Sequence, residues 1–131
     1  MLKYKYVEEF EINASPKSIY PYLQNANSLS EWFVGQVSMN SEKVYNFHWD
    51  NVNHFARLTV ARLNKQVRFE FLDENQQPAE DPNYLDFRLQ QSELTDATYL
   101  KVSDYSEMTE PEDLRDLWIG LIHRLREALG V

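Results

Sequence analysis

Residues 109–130 read TEPEDLRDLWIGLIHRLREALG, and the architecture turns on this stretch. Leu114, Leu117, Trp118, Leu121, Ile122, Leu125 and Leu129 recur at intervals of three and four, the spacing that lines up one face of an α-helix. Thr109 and Glu112 stand three apart with Pro111 between them, which reads as a capping box with proline in the first turn. Gly130 stands where the helix should stop. Acidic residues crowd the start while Arg124 and Arg126 lie near the end, each sign at the favourable pole of the helix dipole. The prediction is one long amphipathic helix with a wide apolar face to bury.

Working back from that helix, the chain supplies strands. Tyr4, Tyr6, Glu8, Phe10 and Ile12 alternate with Lys3, Lys5, Val7, Glu9 and Glu11, the period of a strand with one buried face. The alternation stops at Asn13-Ala14-Ser15-Pro16, where Ser15 can cap a helix and Pro16 can occupy its first position. Ile19, Tyr20, Tyr22 and Leu23 continue it as an apolar stripe. A second short helix is expected from Asn27 or Ser28 through Leu29 and Glu31 to Trp32-Phe33, with Gly35 as its end. From Val37 to Tyr105 the period is again two. Val37/Met39, Tyr45/Phe47/Trp49, Ala56/Leu58/Val60, Val67/Phe69/Phe71, Leu85/Phe87/Leu89 and Leu100/Val102 mark six strands. Turns at Asp50–Asn53, Asn64-Lys65 and Glu93–Asp96, and a polar loop over Asp73–Asn83, join them into an antiparallel meander.

Composition bounds the function. The 131 residues, 15.6 kDa, fit one domain spanning 1–131, long enough to bury a sizeable core. Thirteen basic against 21 acidic residues leave a net charge of −8, which argues against nucleic acid and against anionic membrane surfaces. The absence of cysteine excludes disulfides, cysteine–zinc sites, iron–sulfur clusters and thiol chemistry. Gly35, Gly120 and Gly130 are the only glycines, too few for a glycine-rich phosphate loop. The start of the chain lacks an apolar signal core, and no run is long enough to span a membrane, so a cytoplasmic location is expected.

Three stretches together resemble a known family: Ile12-Asn13-Ala14-Ser15-Pro16 entering the first helix, Leu29-Ser30-Glu31-Trp32-Phe33 at the second, and Leu117-Trp118 through Leu125 at the end. Their order and spacing are similar to those of the START-like superfamily, in the branch of the heat-shock-protein ATPase activator homology domain. The chain departs from that pattern at Tyr20, where tryptophan is frequent, and at Ser41-Glu42-Lys43, which replaces a glycine-rich turn. The resemblance implies a helix-grip α+β fold: two short helices after the first strand, a curved antiparallel sheet of six to seven strands, and the last helix across its concave face. It also implies a cavity between sheet and helix. The superfamily hosts lipid carriers, small-ligand receptors, cyclases and chaperone activators, so it carries over no catalytic residue.

The candidate cavity residues follow from parity. Trp32, Phe33 and Trp118 sit on helical segments that face the sheet, and Ile122 lies one turn beyond Trp118. Tyr45, Phe47, Trp49, Phe69, Phe71 and Phe87 share the inward parity of their strands. Most should be core; Trp32 and Trp118 are the expected walls, each carrying an N–H that wants a partner. Glu8 shares the inward face with Tyr6 and Phe10. It reads either as a polar anchor or acid/base in the cavity, or as the partner of an arginine such as Arg57 or Arg68. His48, His54 and His123 lack helical metal-site spacing, so no metal and no cofactor is expected.

The leading expectation is non-catalytic binding of a small hydrophobic or amphipathic ligand, a lipid included. The alternatives are an interaction module that engages a chaperone or another protein, as monomer or homodimer, and a cyclase- or dehydratase-like enzyme. Because the terminal helix carries the apolar face that closes the core, truncation after Thr109 should abolish cooperative unfolding and drive the chain to aggregate. A soluble truncation with a sharp denaturant transition would contradict that reading.

Overall fold

A computed structural model describes residues 2–33, 35–107 and 110–131. Strand β1 (Tyr4–Ile12) leads into helices α1 (Pro16–Gln24) and α2 (Ala26–Leu29). Six strands follow: β2 (Gln36–Met39), β3 (Val44–His48), β4 (Phe55–Arg62), β5 (Gln66–Phe71), β6 (Tyr84–Gln91) and β7 (Thr98–Ser106). Helix α3 (Pro111–Leu129) ends the fold. The strands form one antiparallel sheet in the order β1-β7-β6-β5-β4-β3-β2. The meander runs in sequence from β2 to β7, and β1 then pairs with β7, Phe10 lying opposite Leu100. The arrangement is α+β, a helix-grip fold with seven strands.

Local chemistry explains the element ends. The Ser15 hydroxyl oxygen accepts from the Ser18 N–H at 3.1 Å, and Pro16 opens α1. The α2 boundary differs from the one read in the sequence. Asn25, not Asn27 or Ser28, caps it, its side-chain oxygen accepting from the N–H groups of Asn27 at 3.0 Å and Ser28 at 3.3 Å. Asn25 also ends α1, so the two helices share one residue as stop and start, and α2 closes at Leu29, before Trp32 and Phe33. Strand β3 likewise ends one residue earlier than its alternation suggests. Asp50 and Asn51 both adopt positive φ (52° and 59°), the backbone of a two-residue hairpin turn, and Trp49 bridges back to Val52. A register shift between Leu58 and Val60 marks a bulge that adds to the sheet's bend.

Helix α3 buries Leu114, Trp118, Leu121, Ile122 and Leu125 against the sheet. Leu117, expected within that stripe, is 38% exposed because it lies at the border of the face rather than on its centre line. Gly130 ends the helix in the left-handed region (φ 78°), as its position predicts. Glu110 occupies the cap position without a side-chain cap bond, and the expected Thr109–Glu112 capping box involves Thr109, which lies outside the described residues.

The core is densely aromatic where α3 meets the sheet. The ring centroid of Trp118 lies 6.4 Å from Trp32, 6.0 Å from Phe33 and 5.9 Å from Phe87, and Phe33 contacts Phe47 edge-on at 5.4 Å. The convex face is held differently. Buried Asp86 accepts from the Gln66 side-chain amide at 3.1 Å and pairs with Arg68 at 3.5 Å and Arg88 at 3.4 Å. Arg68 also reaches Glu70 at 3.0 Å and lies over the Tyr84 ring at 3.9 Å.

Two glycines make opposite predictions. Gly35 has φ 86°, and a Cβ there would run into the His48 carbonyl oxygen, a backbone atom that cannot step aside. Gly120 sits in α3 with nothing within 4 Å of a built Cβ. Denaturant melts should therefore find Gly120→Ala more stable by about 0.5–1 kcal/mol, the helix-propensity gain. Gly35→Ala should cost roughly 2 kcal/mol or more, since positive-φ strain adds to the clash.

Candidate functional site

The sheet curls past the reach of α3, and at one end the two part. The resulting half-open cleft of about 790 Å³ lies between the first half of α3, the segment after α2, and the chain around β3–β7. Its apolar wall comes from Phe71 and Leu85 by the inward parity of their strands, Leu114, Trp118 and Leu121 by the buried face of α3, and Phe33 from the segment after α2. The half-exposed Leu117 adds to the helix side.

One carboxyl group belongs to this cleft from within. Asp104 on β7 continues the inward run Leu100–Val102 and is only 8% exposed. The Trp118 indole N–H donates to its Oδ2 at 2.8 Å, joining sheet to helix. Burial holds the Asp104 carboxyl above the usual carboxylate range, while the hydrogen bonds from Trp118 and Ser106 act in the opposite direction. Its neighbours across the sheet are Tyr6 and Leu85. Asn83 lines the same cleft, and its side-chain oxygen is buried without a hydrogen-bond partner among the described residues.

Around the mouth, Asp50 sits on the β3–β4 turn, and Asp73 and Glu74 open the loop after β5. The Asp73 carboxylate also organises that loop, accepting from the N–H groups of Asn75 and Gln77, both at 2.9 Å. His54 packs flat on Trp49 with centroids 3.6 Å apart, and its Nδ1 lies 3.0 Å from the Phe47 carbonyl oxygen.

Of the side chains expected in the cavity, the structure brings Phe33, Trp49, Phe71 and Trp118 together on this cleft. Trp32, Phe47, Phe69, Phe87 and Ile122 do not line it: all five are buried in the aromatic core deeper in the fold. The Trp32 indole N–H is satisfied there by the Tyr22 carbonyl at 2.8 Å. Tyr45 borders a second hollow beside α1 and α2 and donates its hydroxyl to the Gln24 carbonyl at 2.7 Å.

Glu8 is inward and half-buried, but it lies off this cleft and pairs with neither Arg57 nor Arg68. It accepts instead from the Tyr6 hydroxyl. Burial, then the Glu8 carboxylate, push that phenol well above its ordinary value. Arg68 is engaged by Glu70 and Asp86 on the opposite face of the sheet, which is why it cannot serve Glu8. Asp104 was the residue to find. Its signal is the same parity argument, carried two residues beyond Val102.

A family model described as a START-like superfamily domain matches residues 1–131. The solution structure of the Aha1 dimer from Colwellia psychrerythraea is 18% identical, with a TM-score of 0.69 over 98% of this chain and 96% of that one. Protein MLL2253 from Mesorhizobium loti is 17% identical, with a TM-score of 0.68 over 97% of each chain. Protein NE0264 from Nitrosomonas europaea is 14% identical, with a TM-score of 0.72 over 96% of this chain and 94% of that one. No curated protein matches the sequence.

The buried Asp104 makes a pH prediction. Its folded-state carboxyl binds protons more tightly than the unfolded one, so its contribution opposes folding once the pH passes the unfolded value. Asp104→Asn keeps an oxygen for the Trp118 N–H and removes that titration. Relative to the parent, the variant should gain stability as the pH rises from about 3 to about 7. Parallel thermal melts with a constant gap across that range would contradict it.

Proposed function

The chain belongs to the START-like superfamily, a ligand-binding or interaction module at that level, and from this we propose that it binds a small amphipathic molecule in the cleft without transforming it. The observation that carries the reading is the cleft itself. Its volume of about 790 Å³ falls in the range of small-molecule sites. An apolar wall with one convergent buried carboxyl suits a ligand with an apolar body and a single polar group.

The polar groups present support binding over chemistry. Asp104 is engaged by Trp118, and His54 is stacked on Trp49 with its Nδ1 at a backbone carbonyl. Acid–base catalysis would ask for a second titratable group poised on the same substrate atom. An interaction module is the second reading. It draws on the likeness to the Aha1 dimer and on Ile119, 47% exposed on the outer side of α3, and size-exclusion of the free chain tests its homodimer form.

Titration with 1-naphthalenemethanol, a neutral bicyclic alcohol, tests the binding reading. It should raise the melting temperature and alter tryptophan fluorescence, since Trp49 and Trp118 both border the cleft. Leu117→Trp places bulk at a half-exposed wall position, and should weaken binding by roughly fivefold or more while the melt stays cooperative. Unchanged affinity in that variant would place the ligand elsewhere.

A further inference from the structure

The charge of the cleft is one-sided. Asp104 lies on its inner wall, and Asp50, Asp73 and Glu74 stand around its mouth. Among the described residues no lysine or arginine lines it. Of the basic side chains nearby, Arg68 and Arg88 hold Asp86 on the convex face, and Lys3, which lies over the Tyr105 ring, pairs with Asp81. The remaining polar side chains on its wall are Asn53, His54, Asn83, Tyr84, Tyr105 and Ser106, and the buried Asn83 side-chain oxygen has no donor among the described residues. Trp49, Phe71 and Trp118 add aromatic surface to the same wall.

These features select by sign. An anionic head group entering the cleft would meet several carboxylates and, among the described residues that line it, no lysine or arginine to neutralise it. A neutral alcohol would satisfy one acceptor. An ammonium group presents several donors and a positive charge, and aromatic rings attract it further. Resting on the reading that the cleft binds an amphipathic molecule, we propose that its occupant is a cationic amphiphile, an amine with a compact apolar body, and not a fatty acid or other anionic lipid. The ammonium would lie on the Asp104 side, with the apolar body against Phe71, Leu85 and Leu121.

Asp104 is well placed for this. Its Oδ2 is held by the Trp118 indole, which fixes the carboxyl without neutralising it. Burial disfavours its charge, and a bound cation offsets that disfavour, so protein and ligand each supply what the other lacks. The Asp50, Asp73 and Glu74 carboxylates, exposed at the mouth, raise the local concentration of cations and make capture sensitive to salt.

The test is a matched series on one ring system: 1-naphthylmethylamine, 1-naphthalenemethanol and 1-naphthoate, titrated calorimetrically at neutral pH and low salt. The amine should bind about tenfold or more tighter than the alcohol, with the naphthoate weakest. Butylamine, which has the charge without the ring, should bind at least about tenfold more weakly than the aromatic amine. In Asp104→Asn, with alcohol binding retained as the check on folding, the preference for amine over alcohol should shrink to about twofold. Amide replacements at the mouth (Asp50→Asn, Asp73→Asn, Glu74→Gln) should reduce the salt dependence, and they keep the Asp73 loop acceptor. Naphthoate binding as tightly as the amine overturns the inference and leaves ligand binding standing. An amine preference unchanged in Asp104→Asn overturns it as well, because the selectivity would then come from net surface charge. Failure of all three ring compounds to bind overturns the binding reading beneath it.

Discussion

One sheet must bury its concave face, and one helix has to cover it. Everything else in the molecule adjusts to that constraint. Seven strands present more inward surface than the buried residues Leu114, Trp118, Leu121, Ile122 and Leu125 can reach. Helices α1 and α2 and the following turn cover part of the remainder, bringing Trp32 and Phe33 onto Phe87, Phe47 and Trp118. What is left uncovered, near the first turns of α3, is the cleft. Site and core are thus two regions of a single surface, divided by where the helix ceases to make contact.

That division explains what could and could not be read in advance. Period two and period 3.6 are local properties, so the elements, the Ser15 cap and the Gly130 stop were legible residue by residue. Parity assigned inward residues correctly in kind, because it follows from the pleat. Parity is silent on depth, however. Phe69 and Phe71 share a strand and a face, yet Phe69 is buried in the core and Phe71 borders the cleft. Depth depends on the helix crossing and the sheet bend, which are set by packing between distant segments. The same limit hid the partner of Glu8, since Tyr6 lies on its own strand while the arginines considered for it are used on the other face. Asp104 was missed for a different reason: an acid at an apolar parity position looks like the end of a strand until a donor from another element is seen to meet it.

Charge is sorted by face rather than spread evenly. The convex side holds its buried acid with two arginines and a glutamine, so its electrostatics are closed and directed at the sheet itself. The cleft side holds its buried acid with a neutral indole, and among the described residues that line the cleft no lysine or arginine pairs with it. Two aspartates at similar burial, Asp86 and Asp104, therefore do unlike work, one tying strands together and the other tying the sheet to α3.

The closing of the sheet by β1 on β7 also governs how the chain reaches its native state. Phe10 and Leu100 are opposite partners, so the first strand has no neighbour in the sheet until nearly all the rest has been made. The meander can pair hairpin by hairpin, whereas β1, an edge strand of the sheet, gains its single partner only once β7 is in place. Such distant pairing carries a large loop-closure entropy and slows the approach to the barrier. The pairing of β1 also brings the two ends of the described fold together, and Arg126 of α3 marks the join by donating to the Glu11 carbonyl at 2.6 Å.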